Sequence, residues 1–373
     1  PVLEPRRTRA FRTDLPALDL FPATLWAQVT GRVLRRASTR LFLGCEPLGY
    51  SPLRTAIAAH LRAARGARCE AEQIAIVSGV QEALDLAARM LVDPGDRVGL
   101  EDPGYGGAAR AFTAVGARLV PVPVDPEGLV LDQRRLAGAR LVYTTPAHQY
   151  PLGVTMSVAR RLALLRWARA SGAVLFEDDY DGEFRYQGRP IPALQGLEPE
   201  APVLLAGSFG KVLFPALRVG YLVLPGPLVE RVAALRSATV RHPPVLDQAV
   251  LAAFVEEGHL GRHVRRMREV YAERRTVLVD SAARELGEAL ALSPVEAGLQ
   301  TSGLLGPGLR AEAVVRAAAE QDVEVTALGR EWPGRFRAQG LQLGFAAVRP
   351  EEIRRGVAVL ATVLEQGRRP PRR

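Results

Sequence analysis

The chain contains almost no lysine. Of its 49 Lys and Arg residues, only Lys211 is a lysine, and the others are all arginine. An arginine cannot lose its proton near neutral pH, so it cannot act as a nucleophilic amine, whereas a lysine can. The lone lysine therefore indicates amine chemistry at residue 211. A coding bias towards arginine, alanine, glycine and proline would also leave few lysines. The residues that accompany Lys211 therefore have to decide between amine chemistry and a composition bias.

Cysteines and long apolar runs are also scarce. The two cysteines, Cys45 and Cys69, provide neither a disulfide framework nor a metal-ligand spacing, so we expect a reducing, cytoplasmic environment and no metal site. No apolar run reaches the ~18 residues of a membrane span, and no charged-then-apolar leader opens the chain. The first residue is Pro1 rather than methionine, which suggests a sequence that begins inside a longer product.

The positive charge is high but dispersed. A formal charge of +9 and a pI near 10.2 would suit a nucleic-acid partner, yet the arginines are scattered along the whole chain. The densest run, RHVRRMREVYAERR at 262–275, has the pattern of the solvated face of a long helix. We therefore attribute the charge to composition rather than to a nucleic-acid-binding surface.

Short apolar runs alternate with helical patterns through the first two thirds of the chain. The runs, each ending in glycine, proline or acidic residues, are QIAIVSG, DRVGLEDPGY, ARLVYTTP, AVLFEDDYD, PVLLAGSFGK and RVGYLVLP. Between several of them lie helical patterns such as QEALDLAARML and SVARRLALLRWARASG. Buried strands joined by helices predict an α/β fold with a mostly parallel sheet, whose polar strand ends meet at one edge.

The pattern divides the chain into a large and a small domain. We predict a linker and N-terminal arm or small-domain segment at 1–40, a large domain at 41–255, a smaller α+β domain at 256–366 and a tail at 367–373. After residue 255 the pattern changes to a long basic helix, a few strands and a final helix. The end segments PVLEPRRTRAFR and GRRPPRR have the composition of linkers or disordered tails.

One predicted strand delivers acidic residues to the sheet edge. In AVLFEDDYD the strand is followed by Asp178, Asp179 and Tyr180. An acid that faces a protonated ring nitrogen keeps a pyridinium protonated and so maintains an electron sink. Asp178 suits this role, whereas Asp179 and Asp181 could instead cap a helix or lie at the surface.

A second group of residues suits a phosphate. A turn from a strand into a helix binds phosphate well, because it offers free backbone N–H groups and the positive end of the helix dipole. The sequence predicts such a turn at Ser78, Gly79, Val80 and Gln81. Ser208 and Arg218 flank Lys211 in the sequence and could reach the same phosphate, the arginine bidentately. Tyr105 follows another strand and could stack on a flat cofactor or pack in the core under a loop.

Six segments occur together in one order: VSGVQEALDL, LEDPGYGGA, VYTTPAHQYPLGVTMSVARRLALLRWA, EDDYDGEFRYQGRPIPALQGL, GSFGKVLFPALRVGYLVLP and EGHLGRHVRRMREVYAERR. Together they resemble the aminotransferase-like domain of the MocR/GabR group of bacterial regulators, in the GntR family. Those domains are fold type I proteins that bind pyridoxal 5'-phosphate (PLP). The likeness extends from LDLFPATLW to LGFAAVRPEEIRRGV, which is nearly the whole chain.

The resemblance implies a role for each candidate site residue. Lys211 would form the internal aldimine with PLP, Asp178 would face the pyridine nitrogen, Tyr180 would lie near the ring hydroxyl and Tyr105 would stack on the ring. The phosphate would be held by Ser78, Gly79, Val80, Gln81, Ser208 and Arg218. The O3' side of the cofactor would be lined by His148 and Gln149. The resemblance also implies a homodimer with residues of both subunits around each cofactor.

The chain departs from the family where a substrate carboxylate binds. The usual arginine aligns with Gln342, and the second arginine of GabR-like proteins aligns with Gly107. Arg337 lies a few residues before Gln342 and could substitute, or could belong to a polar loop. Losing both arginines removes charge-assisted hydrogen bonds of ~1.5 to 3 kcal/mol each. Gly44 also stands where the family often has a tyrosine that reaches the neighbouring subunit's phosphate.

Two functions follow from these observations. The first is the PLP-binding effector or sensor domain of a transcriptional regulator, with an amine or amino acid that forms an aldimine, or PLP itself, as the signal. DNA would then be bound only through a winged helix-turn-helix domain, which we do not recognise in this sequence. The second is a free-standing PLP-dependent aminotransferase acting on an amino acid or amine. The missing arginines favour the sensor, with at most weak or partial transamination.

Overall fold

Two β-sheets and the helices around them form the fold. The computed structural model describes residues 8–186, 191–329 and 338–368. The helices of these ranges are α1 (Ala23–Arg36), α2 (Thr39–Phe42), α3 (Ser51–Arg65), α4 (Val80–Leu91), α5 (Gly106–Ala114), α6 (Val158–Ser171), α7 (Leu194–Leu197), α8 (Val229–Thr239), α9 (Leu246–Glu256), α10 (His259–Glu285), α11 (Ala311–Glu320) and α12 (Pro350–Arg368). Across the described ranges, no helix combines the length and apolar character that crossing a membrane requires.

The larger sheet has eight strands in the described residues, and most of them are parallel. They are β1 (Ile74–Val77), β2 (Arg97–Asp102), β3 (Arg118–Asp125), β4 (Gly128–Leu129), β5 (Ala139–Thr144), β6 (Val174–Asp178), β7 (Val203–Ser208) and β8 (Gly220–Val223). Their order is β1-β8-β7-β6-β5-β2-β3-β4. The strands β3, β2, β5, β6 and β7 run parallel, and β8 runs antiparallel to both of its neighbours. The predicted α/β fold with a mostly parallel sheet is confirmed.

Both faces of this sheet are buried, which explains the continuous apolar runs of its strands. Along β7, Leu204 packs in a cluster with residues of α4 and α5, while Leu205 on the other face packs in a cluster with residues of α9 and α10. Each of the six predicted runs forms a strand. The strand β3 was not predicted, because Pro121 and Pro123 interrupt its apolar pattern.

The smaller sheet contains β9 (Leu290–Leu292), β10 (Gln300–Leu305), β11 (Thr326–Ala327) and β12 (Gly340–Gly344), in the antiparallel order β11-β12-β10-β9. The long helix α10 buries Met267, Tyr271 and Leu278 on one side, and most arginines of its basic run lie on the exposed side. This arrangement confirms the long helix with a solvated basic face.

Residues 10 and 11 of the N-terminal segment are part of the fold. Ala10 forms a bridge with Val323, and Phe11 forms one with Gly344 of β12. The Phe11 side chain is fully buried in the main core cluster. The interpretation of PVLEPRRTRAFR as a disordered linker is therefore wrong for residues 10 and 11, because the Phe11 ring packs in the core. The domain limits drawn from the sequence stay predictions.

Candidate functional site

The carboxyl ends of β6 and β7 and the start of α4 surround a cavity of about 230 Å³, which we call the inner cavity. Nine of the residues predicted to contact a cofactor line it: Gly79, Val80, Gln81, Tyr105, Asp178, Tyr180, Ser208, Lys211 and Arg218. Three unpredicted residues line it as well: Asp14, Tyr143 and Tyr150. The strands of the large sheet bring together lining residues from Gly79 to Arg218, and the N-terminal segment adds Asp14.

Asp178, at the end of β6, is almost fully buried and has one oxygen without a partner. Its Oδ2 accepts a hydrogen bond of 2.7 Å from the Tyr143 hydroxyl, while Oδ1 has no hydrogen-bond partner in the described part of the chain. Burial raises the pKa of Asp178 to about 7, and the Tyr143 hydrogen bond opposes that rise. An N–H donor placed in the inner cavity would satisfy Oδ1 and favour the ionised carboxylate.

Lys211 is held by an aspartate from the N-terminal segment. Its Nζ donates to Asp14 Oδ1 at 2.7 Å and to the Asp14 carbonyl oxygen at 3.0 Å. Asp14 has a left-handed backbone with φ of 65°, and its own N–H donates to Gln300 Oε1 at 3.0 Å. The Lys211 amine therefore lies at the cavity, where it donates to Asp14. These hydrogen bonds can be exchanged for contacts with a bound ligand.

The opposite end of the inner cavity presents donors for an anion. Gly79 is the N-cap of α4, and Gly79, Val80 and Gln81 line the cavity, so the first turn of that helix, whose N–H groups lack partners within the helix, lies at the cavity wall. The Arg218 guanidinium lies beside Gly79, with its Nη1 3.8 Å from the place of a Cβ atom on Gly79, and the Arg218 backbone is left-handed with φ of 51°. Ser78 does not line the cavity in the structure. Its N–H donates to Glu82 Oε2 at 2.7 Å.

Tyr180 is supported from behind by a histidine. Its hydroxyl lies 3.0 Å from His148 Nδ1, which also lies 2.9 Å from Asp181 Oδ2. His148 is thus a partner of the Tyr180 hydroxyl rather than part of the cavity wall. Gln149 also lies outside the wall, because its Nε2 donates to the Pro103 carbonyl at 2.8 Å.

Two acidic residues are not at the surface. Asp179 accepts from Arg65 Nε at 2.6 Å and from Arg65 Nη2 at 3.0 Å, and both side chains are buried. Asp181 is buried against His148. The surface interpretation of Asp179 and Asp181 is wrong, because each carboxylate has a specific buried partner.

A second cavity of about 330 Å³, which we call the outer cavity, adjoins the first. The two share Asp14, Tyr105 and Tyr150. The outer cavity is lined in addition by Arg110 and by Gln342, whose side chain is 1% exposed.

The remaining departures from the family have structural reasons. A Cβ atom on Gly107 would overlap the Tyr105 ring, so this position does not accommodate a side chain while the ring stays where it is. A Cβ atom on Gly44 would collide with the His242 imidazole. Arg337 lies outside the described residues.

Residues 20–360 match the model of the family described as aminotransferase class I and II. The chain belongs to that family.

Its relatives include both regulators and enzymes. This aminotransferase-family chain is 40% identical over 348 residues to the "probable rhizopine catabolism regulatory protein MocR" of Rhizobium meliloti, and covers 71% of it with 93% of its own length. It is 35% identical to the pyridoxine biosynthesis regulator PdxR of Corynebacterium glutamicum, covering 77% of that protein with 94% of its own length. The predicted membership of the MocR/GabR group is thereby confirmed.

A solved relative connects the family to its cofactor. The α-aminoadipate aminotransferase of Thermus thermophilus, solved with N-(5'-phosphopyridoxyl)-L-leucine, shares 30% identity with a TM-score of 0.88 over 96% of this chain and 92% of that one. Membership of the aminotransferase family therefore implies PLP. The inner cavity fits PLP through the partnerless Asp178 Oδ1, the amine of Lys211 and the donors around Gly79 and Arg218.

Three residues that line the inner cavity were not predicted from the sequence, namely Asp14, Tyr143 and Tyr150. Asp14 lies in a segment that composition assigned to a linker, and no local pattern indicated it. Tyr143 and Tyr150 had a usable signal, because both follow or end a predicted strand in ARLVYTTP and TPAHQYPLG, where polar groups reach the sheet edge.

Proposed function

We propose that this chain is the PLP-binding sensor domain of a MocR-type transcriptional regulator that acts in the cytoplasm. Its signal is a small amine or amino acid, or PLP itself. The observation that carries the proposal is a full set of cofactor-facing groups beside a carboxylate position filled by the uncharged Gln342. The 40% identity to MocR over most of the chain supports the same conclusion.

The inner cavity assigns a task to each of its side chains. When bound, PLP supplies an aldehyde that condenses with an amine and a ring that withdraws electrons from the attached carbon. Lys211 provides the amine, and its hydrogen bonds to Asp14 break when it does so. Asp178 accepts a ring N–H at Oδ1 while Tyr143 holds its other oxygen. The α4 N-terminus, Ser208 and Arg218 bind the phosphate.

His148 sets the position of the Tyr180 hydroxyl. Burial raises the pKa of Tyr180 well above its ordinary value, and nearby Asp181 adds to the effect. Tyr180 therefore keeps its proton at neutral pH and acts as a hydrogen-bonding group within the cavity. The His148–Asp181 pair behind it fixes the direction of the hydroxyl.

A specific observation also supports an aminotransferase as the second function. Lys211 and Asp178 are the two groups that proton transfer and electron withdrawal at PLP require, and both are present. Enzymatic transamination further requires anchors that orient the bond to be broken at the ligand carbon. Gln342 and Gly107 supply no charge for this task, so we expect at most slow or partial reaction.

We further propose a homodimer. Large apolar side chains are exposed on α1, at the end of α2 and directly after it, directly after α8 and at the start of α9, namely Leu34, Phe42, Leu43, Val240 and Leu246. Leu41 and Val245, which neighbour Phe42 and Leu246 in the sequence, belong to one buried cluster, and we infer that the exposed groups form one surface, which we call the apolar patch. Such a patch is unusual on a monomer and suits a second copy of the chain.

The experiment that separates sensor from enzyme follows PLP-loaded protein after mixing with a panel of amino acids. A sensor should change its visible spectrum without producing keto acid at a catalytic rate. Rapid, complete loss of the visible band with keto-acid turnover would instead establish an aminotransferase. The coding frame upstream of Pro1 provides an independent test, because a regulator requires a DNA-binding domain there.

A further inference from the structure

The turn that begins α4 is held by a side chain of the helix itself. Gly79, the N-cap of α4, has no side chain that could cap the helix. Glu82 in the first turn reaches back instead, and its Oε2 accepts the N–H of Ser78 at 2.7 Å. The Glu82 N–H donates to the Gly79 carbonyl at 3.1 Å, so two hydrogen bonds tie the turn to this one residue.

A buried arginine holds Glu82 in turn. Arg236 of α8 is 1% exposed, and its Nη2 lies 3.3 Å from Glu82 Oε1. Its Nη1 donates to the carbonyl oxygen of Ile76 in β1, so one guanidinium joins β1, α4 and α8. Its Nε and Nη2 have no hydrogen-bond partner in the described part of the chain. Burial lowers the pKa of Arg236 and the Glu82 carboxylate opposes that change, so Glu82 is the counter-charge that stabilises the buried guanidinium.

The backbone of Gly79 makes this support necessary. Its φ of 144° lies in a region that glycine adopts readily and other residues rarely, and glycine is equally free to leave it. On one side Gly220 of β8 limits the turn, because a Cβ atom at Gly220 would lie 3.2 Å from the Gly79 Cα. Glu82 restrains the turn from another direction, at the N–H of Ser78. The position of the first turn of α4 at the cavity wall therefore depends on Glu82.

The charge of Glu82 opposes a direct role in binding an anion. In the described ranges, Glu82 and Arg236 are absent from the walls of the inner and outer cavities. A carboxylate near a helix N-terminus repels a second anion there, unless a cation neutralises it. Arg236 provides that cation, so the pair holds the turn without adding net negative charge beside it.

We infer that Glu82 and Arg236 are positioning residues for the phosphate of PLP. Glu82 holds the turn at Ser78 and Gly79 so that the first N–H groups of α4 stay at the wall of the inner cavity. Arg236 holds Glu82 and neutralises it. This inference rests on the proposed function, because it takes PLP as the ligand of the inner cavity.

The test separates the phosphate from the rest of the cofactor. PLP-free protein is titrated with PLP and with pyridoxal, which has the same aldehyde and ring but no phosphate. The visible spectrum and calorimetry give the two Kd values, and the ratio of the pyridoxal Kd to the PLP Kd measures the contribution of the phosphate. A general loss of stability weakens both ligands alike and leaves this ratio unchanged. Inorganic phosphate is titrated by calorimetry as a probe that does not involve Lys211.

Glu82→Ala should lower the Kd ratio at least about tenfold, which is the effect of one charge-assisted hydrogen bond to the phosphate, and should weaken inorganic phosphate as well. Glu82→Gln should lower the ratio only about threefold, because it keeps an acceptor for the Ser78 N–H and loses the ion pair. Arg236→Gln removes the same ion pair and should act similarly. Asp85→Ala removes an exposed carboxylate of α4 that pairs with Arg89 at 2.8 Å, and it should retain the wild-type ratio.

Three results would overturn the inference: an unchanged Kd ratio in Glu82→Ala, a higher ratio in that variant, or an equal loss in Asp85→Ala. A higher ratio would show that Glu82 chiefly repels the phosphate. If Glu82→Ala does not fold, an unchanged ratio in both Glu82→Gln and Arg236→Gln overturns the inference instead. Failure of the proposed function is distinguishable, because the wild type would then form no visible band with either aldehyde, while inorganic phosphate still reports on the turn.

Discussion

Lys211 and Asp14 form an ion pair of 2.7 Å across 197 positions of sequence, and the carbonyl oxygen of Asp14 accepts a second hydrogen bond from the same nitrogen at 3.0 Å. Both bonds have to break before Lys211 can react with PLP. We therefore expect the N-terminal segment to restrain the amine until PLP binds.

Asp14→Asn should accelerate PLP binding, because the remaining carbonyl holds the ammonium less tightly than the carboxylate does. Asparagine also tolerates the left-handed backbone of this position. The pair is partly exposed, so we expect about 1 kcal/mol at most, or about a fivefold faster appearance of visible absorbance by stopped flow.

A matched control for that variant is Asp322→Asn. Asp322 is also left-handed and pairs with Arg9 at 2.8 Å, but it lines neither the inner nor the outer cavity. Equal rates for Asp14→Asn and Asp322→Asn would show that Asp14 does not restrain Lys211.

Lys211→Arg should abolish covalent cofactor. A guanidinium does not condense with an aldehyde, so the purified variant should lack the visible band of lysine-bound PLP. In the wild type, borohydride should fix PLP to the single peptide that contains Lys211, as measured by mass spectrometry. Covalent PLP on the variant would contradict the assignment of Lys211.

Asp178→Asn should stabilise the PLP-free protein in a pH-dependent way. Burial raises the pKa of Asp178 to about 7 in the folded chain, above the usual value of 3.8. The folded state therefore holds a proton that the unfolded state releases between these values, and wild-type stability from this group falls as pH rises towards 7. The Tm of the variant should exceed that of the wild type most at pH 8, with the gap closing towards pH 4.

Adding PLP should reverse the order of the two Tm values, so that the wild type exceeds Asp178→Asn. A ring N–H beside Asp178 stabilises its charge, so PLP should raise the wild-type Tm more than that of Asp178→Asn, by about 1–1.5 °C for each 1 kcal/mol in a chain of this length. A PLP-induced shift of the same size in both proteins would exclude Asp178 as the acceptor of the ring N–H.

Gln342→Arg should strengthen the binding of ordinary α-amino acids by about tenfold, because it places a bidentate cation at the carboxylate position. Spectral titration of PLP-loaded protein measures the effect. Gln321→Arg adds the same charge at an exposed residue after α11 and should have no effect. If Gln342→Arg also has none, another group already binds the carboxylate.

Leu43→Glu should dissociate the proposed dimer. Leu43 is 81% exposed within one chain, so a monomer would tolerate the charge, whereas an interface formed by the apolar patch would not. Analytical ultracentrifugation at micromolar concentration should show a shift to monomer. Val158→Glu changes an exposed apolar residue outside the patch and should leave the assembly as it is. A wild-type monomer would contradict the proposal.

The sequence alone determined the parts of this protein that depend on local order. The six predicted strands of the large sheet end where their apolar runs end, so the sequence assigns Asp178, Ser208 and the turn at Gly79 to one sheet edge. The single lysine predicts the reactive amine for a different reason, because arginine cannot act as one. Family resemblance then supplied PLP.

Only the tertiary structure decided which distant groups meet. Asp14 reaches Lys211 because residues 10 and 11 pair with Val323 and with Gly344 of β12, and no local pattern encodes that pairing. His148 lies behind Tyr180, and the Tyr105 ring lies over Gly107, because of packing between separate elements. Periodicity reports which face of an element is buried, whereas the identity of the neighbour on that face is set by how the whole chain packs.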